Sequence, residues 1–179
     1  MTRLALSLLI GLVGAGIVHI VTVLAVPRFA EADLAVRAEA RGAAGTFVAL
    51  PQPDPLLRAA ICLVTLDSPV RVFAGGEVPF WSASVFTRSG VNVYSTNDRT
   101  ARDGTLDIIL LAASSLETLR EELAEDAPEL VALDGGEAVI IVRTLVPDPT
   151  FEPLAADLLG RASCNPLDMD GGPDERTES

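Results

Sequence analysis

Lysine is absent from this chain, and histidine occurs once, at His19. Both gaps exclude chemistry. Without lysine there is no Schiff base, no Ser-Lys dyad and no phosphate-loop ammonium. The single histidine lies inside an uncharged stretch, Leu4 to Val26, so everything beyond that stretch lacks an imidazole. A Ser-His-Asp triad, a Cys-His pair or a histidine metal site cannot be assembled there. Aromatic residues are scarce too, at 4%, with one Trp and one Tyr. Carboxylates, arginine, hydroxyls and that Tyr remain for chemistry. No acid pair with a recognisable spacing stands out, so no catalytic residue, cofactor or metal is assigned.

What is present begins with the apolar stretch itself. Its 23 residues would span about 35 Å as a helix. That is enough to cross a hydrocarbon core of roughly 30 Å. The apolar part of a cleaved secretory signal is shorter, about 7–15 residues, so a retained anchor is expected. Val23-Leu24-Ala25 offers a cleavage site as the lesser alternative. Ser7, Gly11, Ala15 and His19 recur every fourth residue and share one helix face. Small side chains at this spacing let two membrane helices approach closely. The alternative is an ordinary anchor rich in Gly and Ala. His19 has no titratable neighbour in the segment to exchange a proton with, which favours packing over a relay.

The rest of the chain divides into a stalk (28–45), a β-rich domain (46–164) and an acidic tail (165–179), behind the anchor (1–27). The net charge is −12, with every Asp and Glu after the anchor. Such a domain is repelled by nucleic acid, and a nucleic-acid partner is not expected. Orientation is contested. Arg28, Arg37 and Arg41 follow the anchor and only Arg3 precedes it, which disfavours export. The short charged head with its amino terminus favours it.

The stalk, Arg28 to Arg41, reads as a helix ending at Gly42. Strand-like runs follow at Ile61 to Leu66 and Val70 to Phe73. Phe80 to Thr87 and Val91 to Ser95, joined by Arg88-Ser89-Gly90, read as a hairpin. Alternation places Trp81, Ala83, Val85 and Val93 inward and Asn92 with Tyr94 outward. Leu106 to Leu111 and Ala138 to Val146 are buried strands. Between them a helix is predicted, with Ser114 and Glu117 as its capping box and Leu116, Leu119 and Leu123 inward. A last helix, from about Pro153 to Ala162, presents Leu154 and Leu158. Cys62 and Cys164 would form a disulfide in an oxidising compartment; two buried free thiols are the alternative.

Asn92, Tyr94, Asn97, Asp98 and Arg99 gather at the exit of the hairpin. They are either a ligand or partner edge, or a turn whose Asn and Asp side chains bond the local backbone. Asp168-Met169-Asp170-Gly171 lacks ligand positions required of a calcium loop. Gly75-Gly76 and Gly135-Gly136 match no phosphate fingerprint.

Several segments, in order, resemble the bacterial family called domain of unknown function 1254. They are Thr46-Phe47-Val48, Cys62 in its strand, Asp67 to Val72, Phe80 to Phe86, Gly90, Asn92 to Arg99, and Leu145 to Asp148. The anchor, Gly16 to Ala30, is similar to that of the short membrane-anchored members. Leu63-Val64-Thr65 stands where those members often carry Arg-Tyr-Asp. The resemblance implies a jelly-roll-like β-sandwich with two short flanking helices behind one transmembrane helix. It also implies a periplasmic address on the bacterial inner membrane. It further implies a sister domain, of unknown function 1214, fused on the same chain or carried on another membrane-anchored protein, as the partner. It implies no chemistry. Three readings follow: a non-catalytic partner-binding domain, a carbohydrate or small-molecule binding jelly roll, and a carboxylate-based hydrolase. Self-association through the anchor would accompany any of them.

Overall fold

A computed structural model describes residues 2–51, 54–123 and 127–167. One continuous helix, α1 (Thr2–Ala40), opens the chain. Its first part, Thr2–Val26, is long and apolar enough to cross a membrane, and none of it is buried by protein. Gly42 (φ 71°) ends the helix in the left-handed conformation that glycine adopts without cost. The Ala43 N–H donates to the Ala38 carbonyl and the Gly42 N–H to that of Glu39. This pattern closes a helix and satisfies its last carbonyls.

Among the described residues nine strands follow, in two sheets. They are β1 (Val48–Ala49), β2 (Leu57–Thr65), β3 (Val70–Ala74), β4 (Trp81–Thr87), β5 (Asn92–Asn97), β6 (Leu106–Ala112), β7 (Glu129–Leu133), β8 (Glu137–Leu145) and β9 (Ser163–Pro166). The first sheet has the order β1-β2-β8-β4-β5, the second β7-β6-β3-β9. Every pairing is antiparallel except β6 with β7, which are parallel. That pair is joined by helix α2 (Leu116–Glu122), the kind of crossover a parallel pair needs. Helix α3 (Glu152–Arg161) precedes β9. The fold is therefore a β-sandwich with short flanking helices behind a long apolar helix, as the sequence led us to expect.

The register explains the core. Cys62, Ile140 and Val85 stand side by side across β2, β8 and β4. They face Val72, Ile108 and Cys164 of the other sheet, all essentially without solvent contact. Cys62 and Cys164 are joined as a disulfide 102 residues apart in sequence. The bridge runs from β2 to β9, strand to strand between the sheets. Outside the second sheet, Leu119 of α2 packs on Ile109 and Leu111. Outside the first, Ala35, Ala38 and Ala43 pack with Ile61, Leu63, Val139 and Ile141.

Four local expectations are corrected. Asn165 and Pro166, assigned to the tail, pair with Arg71 and Val70 of β3; the remaining tail residues, 168–179 with the Asp168 to Gly171 stretch, lie outside the described residues. Glu129–Leu133 is a strand that the sequence reading left unassigned. The helix after β6 is capped at Ser115 with no side-chain capping bond, and Ser114 lies in the preceding 3-10 turn Ala113–Ser115, so no capping box forms. In α3, Leu158 is buried with Ala155, but Leu154 is exposed.

Candidate functional site

The β4–β5 hairpin sets the site. Its turn is closed by Thr87, whose hydroxyl accepts from the Val91 N–H at 3.1 Å. Gly90 supplies the positive φ (85°) there. The ladder then slips. Phe86 pairs with Asn92, but Val85 pairs with Tyr94, so Val93 is an unpaired bulge residue. The extra residue reverses the side-chain alternation beyond it. Val93, expected inside, is 39% exposed, and Tyr94, expected outside, packs against the core cluster. Asn92 stays outside, where its amide donates to the Ser95 hydroxyl at 2.9 Å. Asn92 and Tyr94 thus lie on opposite faces, and the shared face assigned to them is wrong.

Tyr94 reaches across the sandwich. Its hydroxyl donates to Glu129 Oε2 at 2.8 Å, which links the edge strand of one sheet to the edge strand of the other. Partial burial, then the bond to Glu129, pushes the Tyr94 phenol up to about 12. Beside this link is a cleft of about 370 Å³, lined among others by Tyr94, Thr96, Arg102, Asp103, Asp107 and Glu129. Asp107 is already held by Arg71 through two bonds of 2.8 and 2.7 Å. That contact also raises the Arg71 guanidinium. Asp103 has a positive φ (53°), directly before Gly104 (φ 67°). The Gly104 carbonyl accepts from the Trp81 indole N–H at 3.1 Å.

The five residues singled out in sequence divide. Tyr94 alone lines the cleft. Asn97 is a turn residue: its Oδ1 accepts from the Arg99 N–H at 2.9 Å and the Thr100 N–H at 3.2 Å. Asp98 donates its backbone N–H to the Trp81 carbonyl, and its Oδ1 is buried with no hydrogen-bond partner among the described residues. Arg99 is exposed. Arg102, Asp103, Asp107 and Glu129 were not foreseen. No local signal joins Glu129 to Tyr94, 35 residues away, without knowledge of β7. On α1, the face carrying Ser7, Gly11, Ala15 and His19 is exposed, and the Ser7 hydroxyl donates back to the Arg3 carbonyl at 3.0 Å.

No family model and no curated protein matches the chain. Solved structures do. The VPA0106 protein from Vibrio parahaemolyticus superposes with a TM-score of 0.54 at 12% identity, over 70% of this chain and 32% of that one. An uncharacterized protein from Burkholderia cenocepacia gives 0.44 at 16%, over 73% and 34%. The Vibrio likeness is one of fold. This chain spans about a third of the length of the solved chains it matches.

Proposed function

We propose that this chain is a membrane-tethered, non-catalytic sandwich of the domain of unknown function 1254 family, which binds a protein partner in the bacterial periplasm. The observation that carries the partner reading is the open edge at β5. It ends its sheet, carries no charge and no proline from Val91 to Asn97, and presents Val91 and Val93 at 56% and 39% exposure. Proteins protect exposed edges with charge, proline, bulges or cover. Among the described residues β5 has only the Val93 bulge of these, and the regular stretch beyond it, residues 94–97, suits a partner's strand, main chain to main chain. The sister domain of unknown function 1214 is the partner the family resemblance suggests. The recurrence of this fold as about a third of the Vibrio chain supports a module that works beside other domains. Self-association through Ser7, Gly11, Ala15 and His19 belongs to the same proposal.

A small-molecule reading draws on the cleft, where Tyr94, Thr96, Thr105 and Asp103 offer a polar wall of the kind sugars use. A hydrolase reading draws less, since Asp107 and Glu129 are occupied by Arg71 and Tyr94. The deciding experiment places a photo-crosslinking residue at Val93 in the membrane-bound chain. A discrete protein adduct is expected from Val93 and none from Arg120 on α2. No adduct at Val93, or equal adducts at both sites, would overturn the partner reading. Protection of the cleft by soluble oligosaccharides would then favour the alternative.

A further inference from the structure

We infer that the end of the membrane helix is an outer layer of the sandwich, so that the domain is held in one orientation above the bilayer instead of swinging on a stalk. The inference does not depend on the partner reading. Three observations carry it. First, α1 runs without interruption from Thr2 to Ala40, through the apolar span and beyond it. Second, Ala35, Ala38 and Ala43 are 2%, 0% and 0% exposed, and cover Ile61, Val139 and Ile141 on the outer face of the first sheet. Alanine at positions 35 and 38 lets the helix lie close to the strands. The chain then joins the sheet: the Leu63 N–H donates to the Ala43 carbonyl and the Gly45 N–H to the Leu63 carbonyl, both at 2.8 Å. Third, Arg88 at the hairpin turn clamps the helix end, pairing with Glu39 of α1 at 2.9 Å and with Glu137 of β8.

Distance shows what this does. Ala35 lies nine residues past Val26, about 14 Å along a helix. The same nine residues, fully extended as a tether, would reach about 30 Å. A docked helix therefore confines the sandwich to the layer next to the membrane surface. Anything that meets β5 must present its own binding face in that layer, as a membrane-bound partner does. The contact also leaves Ile61, Val139 and Ile141, on the outer face of the first sheet, unavailable to partners.

The test uses the full chain in lipid vesicles, labelled with a fluorophore at Val91→Cys. Time-resolved anisotropy should hold a plateau over tens of nanoseconds, because loop-like freedom on that timescale is absent. Ala38→Glu, which puts a carboxylate under the helix, should remove the plateau. A thiol at Ile141→Cys should resist an impermeant maleimide for the time that labels Val91→Cys fully. Free nanosecond tumbling of the unaltered chain, or labelling of Ile141→Cys as fast as Val91→Cys, would overturn the inference. Neither readout requires Ala38→Glu to fold.

Discussion

The indole of Trp81 is fastened in two ways. Its ring is 1% exposed, and its N–H donates to the Gly104 carbonyl across the sandwich mouth. Trp81→Ala should cost about 3–5 kcal/mol, by precedent for large core truncations. Trp81→Phe should cost less than that but leave the Gly104 carbonyl unpaired, at about 1–3 kcal/mol. Urea midpoints at constant slope check both values; a loss below 1 kcal/mol for Trp81→Ala would mean that the ring is not core. Tyr94 offers a cleaner probe, because it is the chain's single tyrosine. Its phenol is pushed up to about 12 by burial and by Glu129. The folded state therefore favours the neutral phenol. The stabilisation is complete below the unfolded value near 10 and is lost as pH rises from there through about 12. Phenolate absorbance should stay absent at pH 10 in the folded chain. Glu129→Gln should lower the midpoint, with burial keeping it above the unfolded value. Half-ionisation at pH 10 in folded protein would show that Tyr94 is not held in this contact.

Elements were legible where local pattern and tertiary contact agree. Val70 to Val72 alternates in sequence as the whole of Val70–Ala74 does in burial, and Trp81–Val85 puts its large residues inside. The failures have physical causes. Glu129–Leu133 does not alternate, because Val131 and Leu133 enter the core while Leu130 packs toward α2. A strand covered on both sides reads as a plain apolar run. Pro128 before it and Asp134-Gly135-Gly136 after it were the available signal. Ser163–Pro166 carries no strand pattern; it is held by β3 and by Cys164. The bulge at Val93 is invisible in sequence, and it moved Tyr94 from one face to the other. Hence the cleft was half legible: its tyrosine was named, its acids were not. The disulfide is the element-scale prediction. Closing a loop of ~100 residues is worth about 4.7 kcal/mol in the chain-entropy model. Paired Cys62→Ala and Cys164→Ala should lower stability by several kcal/mol, with β9 losing hydrogen-exchange protection before β8. Loss of protection in both strands together would mean that the bridge staples the whole sandwich and not its edge.

At the scale of the whole molecule, charge and disulfide pull in opposite directions on one question. Arg28, Arg37 and Arg41 follow the span, and arginines near a span favour the cytoplasmic side. Glu39 does little to offset them by that rule, although it holds Arg88. The Cys62–Cys164 bridge argues the other way, since disulfides persist in oxidising compartments. The docked helix end covers the first sheet with Ala35 and Ala38, so part of this segment's composition answers to folding and not to topology alone. We therefore expect the sandwich on the periplasmic side. Alkaline phosphatase fused after Leu167 should be active, and a fluorescent protein at the same point dark. Thiol alkylation of unreduced, unfolded chain should label neither cysteine. Adding arginines before Leu4 should strengthen this orientation, because it widens the head's charge without touching the fold. A dark phosphatase with two labelled thiols would place the domain in the cytoplasm, remove the bridge in the cell, and leave the open β5 edge to a cytoplasmic partner.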